Sequence, residues 1–251
     1  MQELGETSKR DWRLQAITTL SEDWKSPFTG IIHKKGTIVE NVNFLKIRRV
    51  ILKMPIPNPT AMFLNIAFSN LERANNNLNF LRKDLHKIDL RQLNKELFDG
   101  LEYYMSSIIF SYTALESFSN EIIPDDYEYK IERQDKKCIE IYNKEQIERN
   151  IALKIKIGDI LPKILNLEFD KSGILWNNYC LMEEIRNDCI HIKSKDRKGI
   201  TPSTKDISYD HIWNRLINNS NFANFPKISL EIISLFSKDK KIRWLKLLPF
   251  S

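Results

Sequence analysis

An arginine and a histidine separated by four residues, Arg186 and His191, are the side chains of this sequence best suited to chemistry. Arginine is permanently charged and binds phosphate oxygens through its forked N–H groups. Histidine titrates near neutral pH and can accept or donate a proton. Together these residue types suit the cleavage of a phosphodiester. On RNA the neighbouring 2′-hydroxyl is the nucleophile, so the reaction needs a base and phosphate stabilisation but no metal ion or other cofactor.

The spacing of the two residues limits how they can meet. Five residues of ideal α-helix rotate a side chain by about 140°, so Arg186 and His191 do not lie on one face of a continuous helix. They can converge at a kink, at a helix end or across a symmetric dimer. The alternative interpretation, favoured by spacing alone, is an exposed helical arginine and a hydrogen-bonded histidine.

A series of helices must position these residues. Apolar residues at steps of three and four predict helices over about residues 60–85, 91–123, 143–165, 173–193, 206–218 and 226–237. Thr60 can cap the first of these, and Asn143 with Gln146 resembles a capping box. Because glycines are sparse and the links are short, the pattern predicts an all-α fold, an antiparallel helical bundle.

Residues 1–57 differ from this helical pattern. Residues 30–39 predict two short strands around a Lys-Lys-Gly turn, and residues 42–54 predict another strand. Prolines at 55, 57 and 59 then make an extended boundary. We therefore expect a small N-terminal α/β or β extension over residues 1–57.

The helical bundle is expected over residues 58–251. A polar insertion at about 124–142 interrupts it and contains two β-like pieces, Glu128–Ile131 and Cys138–Tyr142. The sequence thus predicts two parts, one small and one predominantly helical.

The composition indicates which binding partners and which cellular compartment to expect. Lys and Arg outnumber Asp and Glu by 39 to 33, a net charge of +6 that favours anionic partners. Three cysteines are too few for a disulfide framework, which indicates a reducing compartment. The apolar runs are shorter than the roughly 20 residues that span a bilayer, and the acidic N-terminus is unlike a signal peptide. A cytoplasmic protein with no membrane partner is expected.

Two basic clusters offer surfaces for an anionic partner. The first is Lys46–Arg49 with Lys53, and the second is the segment 238–246 with Trp244. Either one could follow an RNA backbone, and the aromatic residue could stack on a base. The alternative is an ordinary solvated surface, because runs of charge are usually no more than that.

Spacing disfavours two metal-site interpretations. Asp125 and Glu128-Tyr129-Lys130 superficially match a family of metal nucleases, but two intervening residues leave no room for the turn between strands. Cys180, Cys189 and His191 could form a zinc site or a Cys–His pair only if the helix unwound, because residues two apart lie on nearly opposite sides of it. No metal site is predicted.

Three segments together resemble the HEPN superfamily. Residues 185–191 resemble its R-x-x-x-x-H signature, in which the arginine is usually followed by a polar residue, here Asn187. Residues 112–121 resemble an A-L-E-x-F-x-N-E segment of several prokaryotic members, and residues 147–162 resemble the helix before the signature. The matches follow the family's order and cover roughly residues 60–235, while residues 1–57 have no counterpart.

The resemblance implies a HEPN-like bundle of four or five helices. Many such domains are metal-independent ribonucleases that act as toxins or in anti-phage defence, and they usually dimerise so that two signatures face one cleft. By position, Arg186 would stabilise the scissile phosphate, His191 would act as acid or base, and Asn187 would orient one of them or contact the phosphate. The implied partners are RNA, a second copy of the chain and an antitoxin or regulatory protein.

The resemblance also points to the facing helix. Glu116 would be the catalytic helper, with Tyr112 and Asn120 one turn to either side of it on the same face. Tyr112, Asn120 and Lys193 are candidates for substrate binding. Glu116 has an alternative structural role, as a carboxylate inside the bundle that neutralises Arg186. The alternative function is a non-catalytic HEPN-like domain that binds nucleotide, RNA or a partner protein.

Overall fold

The computed structural model describes residues 11–15, 17–27, 29–40, 42–84, 89–133, 137–198, 211–218, 224–237 and 242–250. The chain divides into two compact units. The first comprises Met1–Met62 and Lys240–Ser251, and the second comprises Phe63–Asp239.

The first unit consists of short antiparallel strands in its described part before residue 57. They are β1 Ile17–Thr19, β2 Trp24–Lys25, β3 Ile32–His33, β4 Ile38–Glu40, β5 Val42–Ile47 and β6 Val50–Pro55. The two strands expected within residues 30–39 are present as β3 and β4. They do not pair with each other, because β3 pairs with β2 and β4 pairs with β1.

The strand expected over residues 42–54 is a hairpin instead. Strands β5 and β6 pair in register, with Phe44 opposite Lys53 and Lys46 opposite Ile51. The turn contains Arg48, whose φ is +55°. A left-handed conformation is uncommon for a residue other than glycine. This turn could not be predicted, because residues 47–50 contain no Asn-Gly or similar turn signal.

The second unit is predominantly helical. Its helices are α1 Pro59–Asp84, which begins in the first unit, α2 Leu90–Ile122, α3 Lys144–Asn150, α4 Leu153–Ile155, α5 Leu161–Leu165, α6 Ile174–Ile190, α7 Ile212–Asn218 and α8 Phe225–Phe236. A π-helix, Lys156–Ile160, joins α4 to α5, and a 3-10 turn spans Ser194–Arg197. A last short helix, α9 Arg243–Lys246, belongs to the first unit.

Helix α2 is the centre of the second unit. It packs against α6, α7 and α8. Its inward face is a stripe of buried residues at three- and four-residue steps, including Tyr104, Ile108, Tyr112, Leu115 and Phe118. The two β-like pieces of the polar insertion form an antiparallel hairpin, β7 Tyr129–Arg133 and β8 Cys138–Tyr142.

Polar caps set where the helices begin. The expected capping box is confirmed, because Asn143 accepts from the backbone N–H of Gln146 and the Gln146 side chain accepts from that of Asn143. Thr60 does not cap α1. The side chain of Asn58 does so by accepting from the backbone N–H of Ala61 at 2.8 Å, while Thr60 is buried one residue inside the helix.

The helix expected over residues 143–165 is broken, and its central part widens into the π-helix. Lys156, Ile157, Gly158 and Ile160 are all buried there. A β-carbon on Gly158 would lie 2.9 Å from the Trp176 ring, so the widened turn can lie against α6 only with glycine at this position. The π-helix turns inward a lysine that an α-helical pattern would place at the surface.

Candidate functional site

Helix α6 ends between the two residues singled out in the sequence. Its last residue is Ile190, and His191 is the C-cap with φ −109° and ψ 61°. The backbone N–H of His191 donates to the carbonyl oxygen of Asn187 at 2.8 Å. His191 is therefore at a helix end, one of the places where its spacing from Arg186 permits the two side chains to converge. His191 is exposed, and its imidazole has no hydrogen-bond partner among the described residues.

The Arg186 guanidinium lies over an aromatic ring. Its Cζ is 4.8 Å from the centre of the Tyr112 ring, a cation–π contact between α6 and α2. Its Nη1 donates to Oδ1 of Asn187 at 2.9 Å. Its Nε is buried and has no acceptor, and no carboxylate in the described ranges forms an ion pair with Arg186. The guanidinium of Arg186 is thus held in place without an ion-pair partner in the part of the chain that the structure describes.

A carboxylate that the sequence did not single out lies beside this contact. The hydroxyls of Tyr112 and Tyr179 both donate to Oε1 of Glu183, at 3.2 and 3.4 Å. The two rings stack with centroids 6.3 Å apart. Burial raises the pKa of Tyr112 to about 12, and burial raises the pKa of Tyr179 as well. Both tyrosines are therefore neutral hydrogen-bond donors at physiological pH.

The free energy of unfolding at alkaline pH should depend on the buried Tyr112 hydroxyl. An unfolded tyrosine ionises near pH 10, whereas the pKa of folded Tyr112 is about 12. Above pH 10 the unfolded state loses this proton first, so the free energy of unfolding should fall as pH rises from 10 to 12. Urea denaturation at several pH values should show a weaker decline in Tyr112→Phe. A decline that stays as steep in Tyr112→Phe as in Tyr103→Phe, a control on the same helix, would contradict the assignment.

A second cluster, around Lys156, lies further along α2. Lys156 of the π-helix is fully buried, and its Nζ donates to Oδ1 of Asn120 at 2.9 Å and to the carbonyl oxygen of Glu148 at 3.0 Å. Burial lowers the pKa of Lys156, while attraction to the carboxylates of Glu116 and Glu148 acts in the opposite direction. The Glu116 carboxylate thus attracts the Lys156 ammonium. The described residues contain no ion pair between Glu116 and either Lys156 or Arg186.

Lys193 belongs to a chain of ion pairs beyond the end of α6. Its Nζ lies 2.8 Å from Oδ1 of Asp188, whose Oδ2 lies 2.8 Å from Nη1 of Arg215. The hydrogen bond to Asp188 raises the pKa of Lys193. Arg215 also bonds Glu184 at 2.8 Å. An anionic substrate would have to compete with Asp188 for Lys193.

The structure therefore brings together only part of the predicted set. Arg186, Asn187 and Tyr112 are in direct contact, and His191 is exposed at the end of the same helix. The other predicted residues lie apart from this contact: Asn120 bonds Lys156, Lys193 pairs with Asp188, and Glu116 acts on Lys156 through its charge.

Sequence reasoning missed three residues of these clusters: Tyr179, Glu183 and Lys156. Tyr179 and Glu183 were detectable, because steps of four and three place them on the α6 face that carries Arg186. Lys156 gave no signal, since a lysine in a helical pattern is normally exposed.

The cysteine and aspartate motifs show no metal geometry. Within the described part of the chain, no group of three or more His, Cys, Asp or Glu side chains could hold a metal ion. Asp125 pairs with Lys144 at 2.7 Å, and Glu128 with Lys130 at 3.9 Å, so each is used in a local surface ion pair. Cys189 is buried, Cys180 is half-buried and Cys138 is exposed.

The three thiols should differ in reactivity. Burial raises the pKa of Cys189 to about 12, and the thiolate is the reactive form. Iodoacetamide at about pH 8 should label Cys138 quickly and leave Cys189 unmodified until the protein is unfolded by urea. Peptide mass spectrometry would measure both rates. Equal labelling of Cys138 and Cys189 in the folded protein would show that Cys189 is accessible.

The C-terminal aromatic does not serve as a base-stacking residue. Trp244 is 1% exposed, so its ring cannot meet a nucleobase without unfolding of this segment. Residues 238–241 of the same basic cluster lie outside the described residues. The cluster at Lys46–Arg49 and Lys53 is different, because all of its cations are exposed.

Comparison with known proteins identifies no relative of this chain. No helix among the described residues is long and apolar enough to cross a membrane. No family model, no curated protein and no solved structure matches the chain.

Proposed function

We propose that this protein is a metal-independent endoribonuclease of the HEPN type that acts as a toxin or anti-phage defence effector. The observation that carries the proposal is the state of Arg186. Its guanidinium is fixed on the Tyr112 ring and has no carboxylate partner among the described residues, and its helix ends at the exposed His191. A fixed guanidinium without a counter-ion binds phosphate strongly, and an exposed imidazole is accessible to a substrate.

In the proposed reaction the RNA supplies its own nucleophile. The 2′-oxygen forms a bond to the adjacent phosphorus while the bond from phosphorus to the 5′-oxygen breaks. The 2′-hydroxyl gives up a proton and the leaving 5′-oxygen gains one. The products carry a 2′,3′-cyclic phosphate and a 5′-hydroxyl, and no water is consumed in this step.

Three side chains have separate roles in the proposed cleavage. His191 transfers a proton, either from the 2′-hydroxyl or to the 5′-oxygen. Arg186 stabilises the negative charge that accumulates on the phosphate oxygens at the crowded phosphorus. Asn187, which accepts from Nη1 of Arg186, orients the guanidinium. In a symmetric dimer, the imidazole of the second copy would perform the other proton transfer.

Incubation of the purified protein with RNA in the presence of EDTA tests the proposal. Cleavage should proceed, and end-group analysis should find cyclic phosphate and 5′-hydroxyl termini. Products with 5′-phosphate ends would overturn the mechanism. RNA that is bound but remains intact would instead support the alternative of a non-catalytic binding domain.

A further inference from the structure

The β5–β6 hairpin of the first unit carries an unusual concentration of positive charge. Residues 42–55 contain Lys46, Arg48, Arg49 and Lys53 and no acidic residue. These four cations equal two thirds of the chain's net charge of +6. All four are exposed, and none forms an ion pair with any residue the structure describes.

Several other surface cations of the chain are neutralised locally. Lys34 pairs with Asp23, Lys95 with Asp99, and Lys144 with Asp125, each within 2.7 Å. The hairpin contains no carboxylate that could serve the same purpose. Its charge is therefore available to an external anion, and an anion with several regularly spaced charges would fit best.

The strand register places an aromatic ring among these cations. Because cross-strand partners lie on the same face of a hairpin, Phe44 shares a face with Lys53 opposite it and with Lys46 two residues along β5. Phe44 is 66% exposed. The face leads to the turn, where Arg48 and Arg49 lie.

Proteins that bind single-stranded nucleic acid combine two components, a row of cations and exposed aromatic rings between them. The cations bind the phosphates and the ring stacks on a base. We propose that the β5–β6 hairpin is a binding arm for single-stranded RNA. The choice of RNA as the strand rests on the proposed function, whereas the geometry of the arm does not.

Binding and cleavage can be measured separately. The probe is a fluorescein-labelled single-stranded RNA with 2′-O-methyl groups, which lacks the nucleophilic hydroxyl and stays intact. Fluorescence anisotropy of this probe with the full-length protein gives the affinity, and repeating it at several salt concentrations gives the number of phosphate contacts.

Neutralisation of the arm should weaken binding strongly. The variant Lys46→Gln, Arg48→Gln, Arg49→Gln, Lys53→Gln should lose at least tenfold in affinity, and the slope of log affinity against log salt should fall by about 3. Phe44→Leu should lose at least fivefold with an unchanged slope. Circular dichroism would check that each variant remains folded.

A matched control removes the same charge elsewhere. Lys95→Gln, Lys144→Gln, Arg149→Gln and Lys171→Gln neutralise four ion-paired cations of the second unit. This control should keep the affinity within about twofold of the wild type, because each of these cations is already paired at a surface. Equal losses in the control and the arm variant would overturn the proposal, as would full binding by the arm variant.

The remaining outcomes separate the arm from the active site. If the protein binds RNA through the hairpin but does not cleave ordinary RNA, the proposed ribonuclease activity is wrong and the proposed binding arm stands. If the protein cleaves RNA but the hairpin variants bind as well as the wild type, the proposed binding arm is wrong and the proposed ribonuclease activity stands. Binding to phosphatidylserine vesicles through the same cations, without binding to RNA, would assign the hairpin to a lipid surface and overturn the proposal.

Discussion

Replacement of His191 by alanine should lower the rate of RNA cleavage by about 100- to 10,000-fold, the usual contribution of a positioned acid or base. The midpoint of thermal unfolding should not change. His191 is exposed, and the hydrogen bond that its backbone N–H donates to the carbonyl oxygen of Asn187 is retained by alanine. The rate is measured on labelled RNA in EDTA, and the midpoint by circular dichroism.

Two further variants make this prediction specific. His33→Ala is the matched control, because it removes a histidine from β3 in the other unit and should leave cleavage unchanged. Arg186→Lys keeps the charge but loses the forked donors, so it should also lower the rate. Cleavage that remains at the wild-type rate in His191→Ala would exclude His191 as the acid or base.

Replacement of Lys156 by alanine should lower the free energy of unfolding by about 2–5 kcal/mol. The side chain is fully buried, so alanine leaves a cavity and removes the donor for Asn120 Oδ1 and the Glu148 carbonyl. Lys156→Met fills the same volume and should cost about 1–3 kcal/mol, from the unpaired acceptors. Urea denaturation would measure both. Lys163→Ala, an exposed lysine of α5, is the control and should have almost no effect.

The pH dependence provides a second check on Lys156. Burial lowers its pKa below 10.5 in the folded state, so the unfolded state binds this proton more tightly. Between the lowered pKa and about pH 10, the free energy of unfolding should therefore rise with pH in the wild type. Lys156→Met should lack this rise. Identical pH profiles for the two proteins would show that burial of the charged lysine carries no cost.

The long helices could be predicted because their apolar spacing persists over many turns. Helix α2 was expected over residues 91–123 and spans Leu90–Ile122, and α6 was expected from residue 173 and begins at Ile174. Local backbone choices were harder to predict. The turn at Arg48 uses a positive φ without glycine, and Asn58 rather than Thr60 caps α1 because the helix begins at Pro59.

The candidate site was predictable where it depends on helical faces. The expectation for the facing helix names Tyr112, and Tyr112 contacts Arg186 in the structure. It did not separate Tyr112 from Asn120, which lies two turns away and bonds Lys156 instead. That difference depends on the π-helix, and hydrophobic periodicity cannot reveal a single widened turn.

The π-helix also makes the length of its own segment critical. A π-turn accommodates one residue more than the α-turn it replaces, so loss of one residue from positions 157–160 would let the backbone revert to regular α-geometry. Everything on the N-terminal side would then rotate by about 100° relative to α5. Most loops tolerate single-residue deletions, but here one would redirect Lys156 away from α2 and take the partner of Asn120 with it.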